Sequence, residues 1–385
     1  MHFADNRSKI GKYIPAVVFL IFIYGMALWF LFSPKTDYSS SEKRYLQKFP
    51  EVNAEKLLSG EFGSEFETFF ADQFPQRNTW VGLNAYTALA EGNNGASGVY
   101  NCKNGYLINK PVSTDNNLDK NISAVADFAK SIDAPTTVML VPSTGYIVDD
   151  VLPTFHDKYN DDEDISKISS TLSKDKIGFV DLRERFKSEY KNGSQLYYKT
   201  DHHWTTKGAY TGYQELCKAL GVTPIDDSTL KKDSYPNFYG TTYSSSGFWL
   251  TPPDNIEIWS NPNNSSKNIS VKITEGSNVK TSGSMYFTDH LKEDDKYPVF
   301  IDGNHALTEI TNTNAKNGTI LLIKDSFSHS LAPFLAENYS KVVLVDLRYY
   351  KESVSQLVST YNPEQVVVLY GIDNLATDTD IVWLK

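Results

Sequence analysis

Two short stretches of this chain carry residue types suited to group transfer. Asp201-His202-His203-Trp204 sets a carboxylate two residues from an imidazole, and Lys324-Asp325-Ser326 sets a hydroxyl where an apolar run ends. A serine hydroxyl is a weak nucleophile until a base near neutral pH takes its proton, and an imidazole oriented by a carboxylate is such a base. In an extended segment Asp201 and His203 share one face and His202 points the other way. Ser326 ends GTILLIKDS and a helix is expected to start at once, so first-turn N–H groups face any negative charge developing beside it. Blander readings stand beside these. Ser or Asp after a strand is a common helix N-cap. The Asp-His-His cluster has the residue types of a metal site, and also of a polar loop anchored by Trp204.

The elements that would position these residues read as alternating strands and helices. TTVMLVP (136–142), IGFVDL (177–182), GTILLIKDS (318–326), KVVLVDL (341–347) and QVVVLY (365–370) are continuous apolar runs, the pattern of strands buried on both faces. Helices are expected over 117–131, 163–175, 327–338 and 351–360, with a short one at RERFKSEY. Another follows YYKTDHHWTTKGAY (197–210) and ends at Gly221. The expectation is an α/β, three-layer, flavodoxin-like domain with a mostly parallel sheet of about five strands. Sites in such sheets gather beyond the carboxyl ends of the strands. Residues 222–316 lose the rhythm and read as an irregular, β-containing insertion. Upstream, Leu57, Leu58, Phe62, Phe66, Phe69 and Phe70 fit an amphipathic helix over 53–72, and a second helix is expected over 78–91. GVYNCKNGYLI (98–108) reads as a hairpin about Asn104-Gly105.

The N-terminus is of another kind. No charged residue lies between Lys12 and Lys35, a run of 22 residues. As a helix it rises about 33 Å, near the thickness of a bilayer core. Arg7, Lys9 and Lys12 precede it, which predicts a cytoplasmic stub (1–12), a membrane helix (13–34), a linker (35–52) and an extracellular domain (53–385). A cleaved signal peptide is the alternative, but LFSPKTD offers no good small-x-small cleavage site. Residues 1–35 carry a net +3 of a total of −10, leaving −13 for the rest. That acidity argues against nucleic acid as a partner. Two cysteines, Cys102 and Cys217, exclude a disulfide scaffold or a Cys-built metal site, and leave one bridge or two thiols open.

TDHHW before a helix, with KDSFS at a later strand end, resembles the DHHW family of bacterial cell-envelope proteins. That family is a branch of the SGNH hydrolase-like superfamily, similar to the alginate O-acetyltransferase group. SEKRYLQKFP, LLSGEF, DQFPQR, NGYLI, VPSTGYIVDDVLP, FYGTTYSSSG, FIDGNHAL and VDLRYY extend the likeness over nearly the whole chain. The resemblance implies Ser326 as nucleophile, His203 as general base and Asp201 as its orienting carboxylate. It also implies candidate oxyanion or substrate contacts at Gly303, Asn304, His329, Arg77 and Arg348, with ion-pair roles open for the arginines, a simple turn for Gly303-Asn304 and solvent exposure for His329. His202 stands where the alginate group has Thr. The implied activity is that of a membrane-anchored extracellular O-acetyltransferase or acetylesterase on a cell-envelope or secreted polysaccharide. It would work through an acyl-enzyme, without cofactor or metal, and a multi-pass membrane O-acyltransferase would supply acetyl groups. Two other classes stay open: a non-catalytic polysaccharide-binding or scaffold subunit of an acetylation complex, and a metal-dependent hydrolase using Asp201, His202 and His203.

Overall fold

The computed structural model describes residues 3–113 and 116–384, which divide into two compact units, Met1–Tyr86 and Thr87–Lys385. In the first unit, α1 (Phe3–Phe32) is one continuous helix. Its stretch Gly11–Phe32, 22 residues, is long and apolar enough to cross a membrane. Val18, Phe19, Ile21 and Leu31 on it are all exposed, as in a helix without a polar face. The single helix expected over 53–72 is two, α2 (Ala54–Ser59) and α3 (Glu61–Asp72). Gly60 separates them at φ 82°, a left-handed cap that the apolar periodicity alone did not reveal. The expected linker holds a short antiparallel pair, Tyr38–Ser39 with Arg44–Tyr45. Arg44 grips Asp72 with two hydrogen bonds, at 2.9 and 2.6 Å. Helix α4 (Arg77–Ala90) follows and runs past Tyr86, where the first unit ends.

The second unit holds the expected hairpin, Val99–Asn101 against Leu107–Asn109, whose turn holds Asn104 and Gly105 at φ 58° and 77°. Its main sheet is built from β1 (Thr136–Val141), β2 (Gly178–Asp181), β3 (Ile269–Glu275), β4 (Asn278–Ser282), β5 (Leu307–Asn312), β6 (Asn317–Lys324), β7 (Tyr339–Val345) and β8 (Gln365–Gly371). The order across the sheet is β4-β3-β5-β7-β6-β8-β1-β2. The five apolar runs are the parallel neighbours β7, β6, β8, β1 and β2. The sheet as a whole corrects the expectation: it has eight strands and is mixed, because the insertion adds β5, β3 and β4 antiparallel beyond β7. In β3, Ile269, Val271 and Ile273 are buried while Ser270 and Lys272 are exposed. That half-buried alternation is a weaker signal than a continuous apolar run, and the polar residues around it dilute it further.

Successive side chains along the parallel strands enter opposite layers. Met139, Leu322, Leu344 and Leu369 pack with Ala209, Leu216, Leu331 and Leu335, on α5 (Thr206–Leu220) and α6 (Ser328–Asn338). Val138, Leu140, Leu321, Ile323 and Val368 pack with Ile122, Val125, Ile168 and Leu172 of the helices Asn116–Ser131 and Asp161–Lys174. Both periods must be apolar, which is why these strands read as unbroken runs. Each fully buried aliphatic side chain contributes about 1.5–3 kcal/mol. The parallel register sets Lys324 beside Leu369 and Gly371 beside Val141, so the carboxyl ends of β6, β8 and β1 lie side by side. Cys102 and Cys217 are free and buried.

Candidate active site

Ser326 sits between the end of β6 and the start of α6 and is 9% exposed. The turn is held by Asp325, whose carboxylate accepts from the N–H of Phe327 at 2.9 Å, the N–H of Gly371 at 2.8 Å and Nδ2 of Asn374 at 2.7 Å. His203 comes from the loop before α5, 123 positions earlier in the chain. Its Nε2 is 2.7 Å from Ser326 Oγ, and its Nδ1 is 2.5 Å from Asp201 Oδ1. The loop is a run of bends rather than the expected extended segment, and Asp201 Oδ1 also accepts the His203 N–H at 2.9 Å. Asp201 Oδ2 accepts from Thr241, the N–H at 2.7 Å and Oγ1 at 3.0 Å. Burial by itself would raise the Asp201 carboxyl, but the two histidines and the Thr241 N–H hold it well below the usual carboxylate range. It is therefore ionised, and it fixes the His203 tautomer with Nε2 toward the serine.

The bends also correct the placement of His202. Its ring does not point away but lies against that of His203, centroids 3.8 Å apart, with Nδ1 2.7 Å from Thr241 Oγ1. Burial and the neighbouring His203 push the His202 imidazole below its ordinary range, an effect tempered by the 29% of its side chain that solvent still reaches. On His203, the Tyr297 ring stacks at 4.0 Å and 9°. Tyr297 donates its hydroxyl to the Ser326 carbonyl at 3.2 Å. Trp204 is fully buried and donates its indole N–H to the Phe327 carbonyl at 3.0 Å and to Ser330 Oγ at 2.9 Å, tying the histidine loop to α6. Thr241 lies within FYGTTYSSSG, but no residue pattern marked its role or that of Tyr297.

The remaining candidates fall in different places. His329 is 1% exposed, not on the surface, and its Nε2 accepts from Lys324 Nζ at 2.8 Å. Burial and the Lys324 charge push it well below the usual imidazole range, so it is neutral, and its Nδ1 has no partner among the described residues. Lys324 also donates to Asp346 Oδ2 at 2.8 Å. Arg348 closes on Asp346 with bonds of 2.9 and 2.6 Å and donates to Asn304 Oδ1 at 2.9 Å. Gly303 has φ 86° and its N–H is spent on the Phe300 carbonyl at 3.1 Å, the bonding of a turn. Arg77 lies in the first unit, where Nε donates to Glu42 at 2.9 Å.

Asp201, His202 and His203 bring one ligand atom each within 4.8 Å, the composition of a metal site. As arranged, Asp201 Oδ1 and His203 Nδ1 are 2.5 Å apart, joined by a hydrogen bond. Ligands at about 2.0–2.2 Å from one tetrahedral metal stand more than ~3 Å from each other, so this pair does not fit one. A cavity of about 50 Å³ borders the cluster through His202 and Phe327 and continues to Gly371, Asp373 and Ser143.

Solved structures of other proteins share this fold. A DHHW family protein from Eubacterium siraeum is 17% identical with a TM-score of 0.63, over 75% of this chain and 95% of that one. Bacillus cereus PatB1, in a structure with a sulfonyl adduct, is 21% identical with a TM-score of 0.63, over 74% of this chain and 97% of that one. No curated protein matches. The sequence pattern of the DHHW protein family matches residues 87–345, a span that holds Asp201-His202-His203-Trp204 and Ser326 alike. On that match, over more than half of its length, the chain belongs to the DHHW protein family.

Proposed function

We propose that this protein is a serine-dependent O-acetyltransferase or acetylesterase. The reading is carried by the hydrogen-bonded series Ser326 Oγ, His203, Asp201, with steps of 2.7 and 2.5 Å. Ser326 Oγ attacks the acetyl carbonyl as its proton passes to His203 Nε2. The tetrahedral intermediate collapses, the leaving alkoxide takes the proton from His203, and acetyl-Ser326 remains. A sugar hydroxyl, or water, then gives its proton to His203 and attacks the acetyl carbonyl; as this second intermediate collapses, the acetyl–Ser326 Oγ bond breaks and Oγ takes the proton back from His203, restoring both. Asp201 stays ionised and stabilises the imidazolium formed in each step. The Ser326 N–H makes no hydrogen bond to another described residue and lies at the start of α6, available for the oxyanion. A carbohydrate acceptor and a multi-pass membrane acetyl donor are proposed from the family resemblance, and the uncharged run with its basic flank supports a single membrane anchor with the domain outside.

The test is acetate release from an aryl acetate and from an acetylated polysaccharide by purified full-length protein. Ser326→Ala should lower the rate by about 10⁴-fold. A sulfonyl fluoride should modify wild type once, at Ser326, and chelators should leave the rate unchanged. Wild-type rates in Ser326→Ala would end the covalent mechanism. Activity lost to a chelator and restored by zinc would favour metal hydrolysis instead.

A further inference from the structure

We infer that the aromatic face of α3, together with Phe49 and Leu58, lies in the headgroup–acyl boundary of a membrane at the exit end of α1, an inference that rests on reading α1 as a membrane anchor. Phe62, Phe66, Phe69 and Phe70 fall on one face of α3, with Ser64 and Thr68 opposite. Of the four only Phe69 is buried; Phe66 is 39% and Phe70 42% exposed, beside Phe49 at 58% and Leu58 at 91%. Location identifies what covers them. Phe30 is two residues from the end of the Gly11–Phe32 stretch, and its ring meets Phe69 at 5.9 Å and Phe70 at 4.7 Å. Phe49 continues the cluster to Phe62, Phe66 and Phe69 at 6.4, 6.1 and 5.4 Å. A 22-residue helix uses up the roughly 30 Å of hydrocarbon, so Phe30 stands at the interface, where aromatic rings concentrate. Lys35 agrees: its ammonium lies 3.6 Å over the Phe30 ring and bonds the Phe30 carbonyl at 2.5 Å, as a snorkelling cation at a helix exit does.

The covering is lipid held by proximity, not by charge. Glu55, Glu61, Glu65, Glu67 and Asp72 outnumber Lys56 between residues 54 and 72, and Lys56 is already paired with Glu65 and Glu61. Such a segment has no basic face for anionic headgroups and depends on the covalent link to α1 to stay at the surface. The consequence is a second point of attachment that fixes how the chain leaves the bilayer.

The experiment uses full-length protein in phosphatidylcholine vesicles, with an environment-sensitive dye on one introduced thiol at a time. The native thiols Cys102 and Cys217 are buried. For Leu58→Cys, Phe66→Cys and Phe70→Cys, iodide quenching should be about threefold weaker than for Ser64→Cys, and lipids with a nitroxide near the headgroup should quench them. Leu58 is 91% exposed, so its variant reports even where a phenylalanine variant does not fold. Iodide access equal to that of Ser64→Cys overturns the inference, as does protection without nitroxide quenching, which signals a protein cover. Leu20→Cys separates the two readings. Quenching there by a nitroxide deep in the acyl chains, with Leu58 and Phe66 open to iodide, keeps the anchor and ends this inference. No quenching at Leu20→Cys ends the anchor reading and this inference with it.

Discussion

At the scale of single residues, the arrangement around His203 makes unequal demands on its neighbours. Asp201 Oδ1 fixes the tautomer, and Asp201→Asn should cost on the order of 10³–10⁴-fold in acetyl-ester turnover. Combined with Ser326→Ala it should add little, because the members act as a unit. Tyr297 makes a different contribution. Its ring, 4.0 Å from the imidazole, is the stacking surface, while its hydroxyl reaches the Ser326 carbonyl at 3.2 Å. Tyr297→Phe should retain most activity and Tyr297→Leu should lose about tenfold in kcat with KM little changed. Equal losses in the two would show that the hydroxyl, not the ring, positions His203.

At the scale of elements, the site depends on loops brought together by the sheet. The carboxylate loop is held by Thr241 at the start of the short helix Thr241–Ser246. That contact requires Gly240. A Cβ there would stand 2.1 Å from Asp201 Cβ and 2.4 Å from Oδ2, although the backbone at φ −90° accepts any residue. Gly240→Ala should therefore lower turnover at least about a hundredfold by displacing Asp201. Circular dichroism should show the secondary structure unchanged. A fully active Gly240→Ala would show that Asp201 tolerates displacement. The sequence marked the strands before and after the site because both of their faces are apolar. It gave no role to Gly240, within FYGTTYSSSG, or to Tyr297, because close approach and stacking are relations between segments about 40 and 90 positions from the histidine loop.

At the scale of the whole molecule, buried acids set the pH response. Asp161 and Asp373 both bind Ser143, one at its N–H (2.7 Å) and one at its hydroxyl (3.0 Å). Burial raises Asp161 to about 6 and raises Asp373 to about 7, with the Asp161 charge adding to the latter. Unfolded, both titrate near 3.9. Between about pH 4 and 7 the folded chain therefore holds more protons than the unfolded one, and stability contributed by these groups falls as pH rises. Asp161→Asn combined with Asp373→Asn should flatten the decline of Tm from pH 5 to pH 8. A residual slope should remain, since burial also raises Asp254, Asp325 and Glu337. An unchanged slope would show that the two carboxyls are ionised throughout. Asp201 and Asp346, held low, act in the opposite sense, and their contribution is lost only as the solution becomes more acidic than about pH 4.

The sequence by itself determined what is local or carried by a repeating pattern. The parallel strands followed from unbroken apolar runs, the Asn104-Gly105 hairpin from its turn residues, and the membrane-length helix from the absence of charge over 22 residues. Asp201, His203 and Ser326 were legible as candidates, because few side-chain types can take a place in such a hydrogen-bonded series. The tertiary structure decided their relation. It set His203 Nε2 2.7 Å from Ser326 across 123 positions, turned the expected extended loop into bends that lay His202 on His203, and buried His329 behind Lys324. It also drew three strands of the polar insertion into the main sheet, since a strand buried on one face alternates too weakly to be read apart from its partner. Sequence patterns report what each residue needs from its immediate surroundings. Distances between segments far apart in the chain are settled only when the sheet and its two helical layers close around a common core.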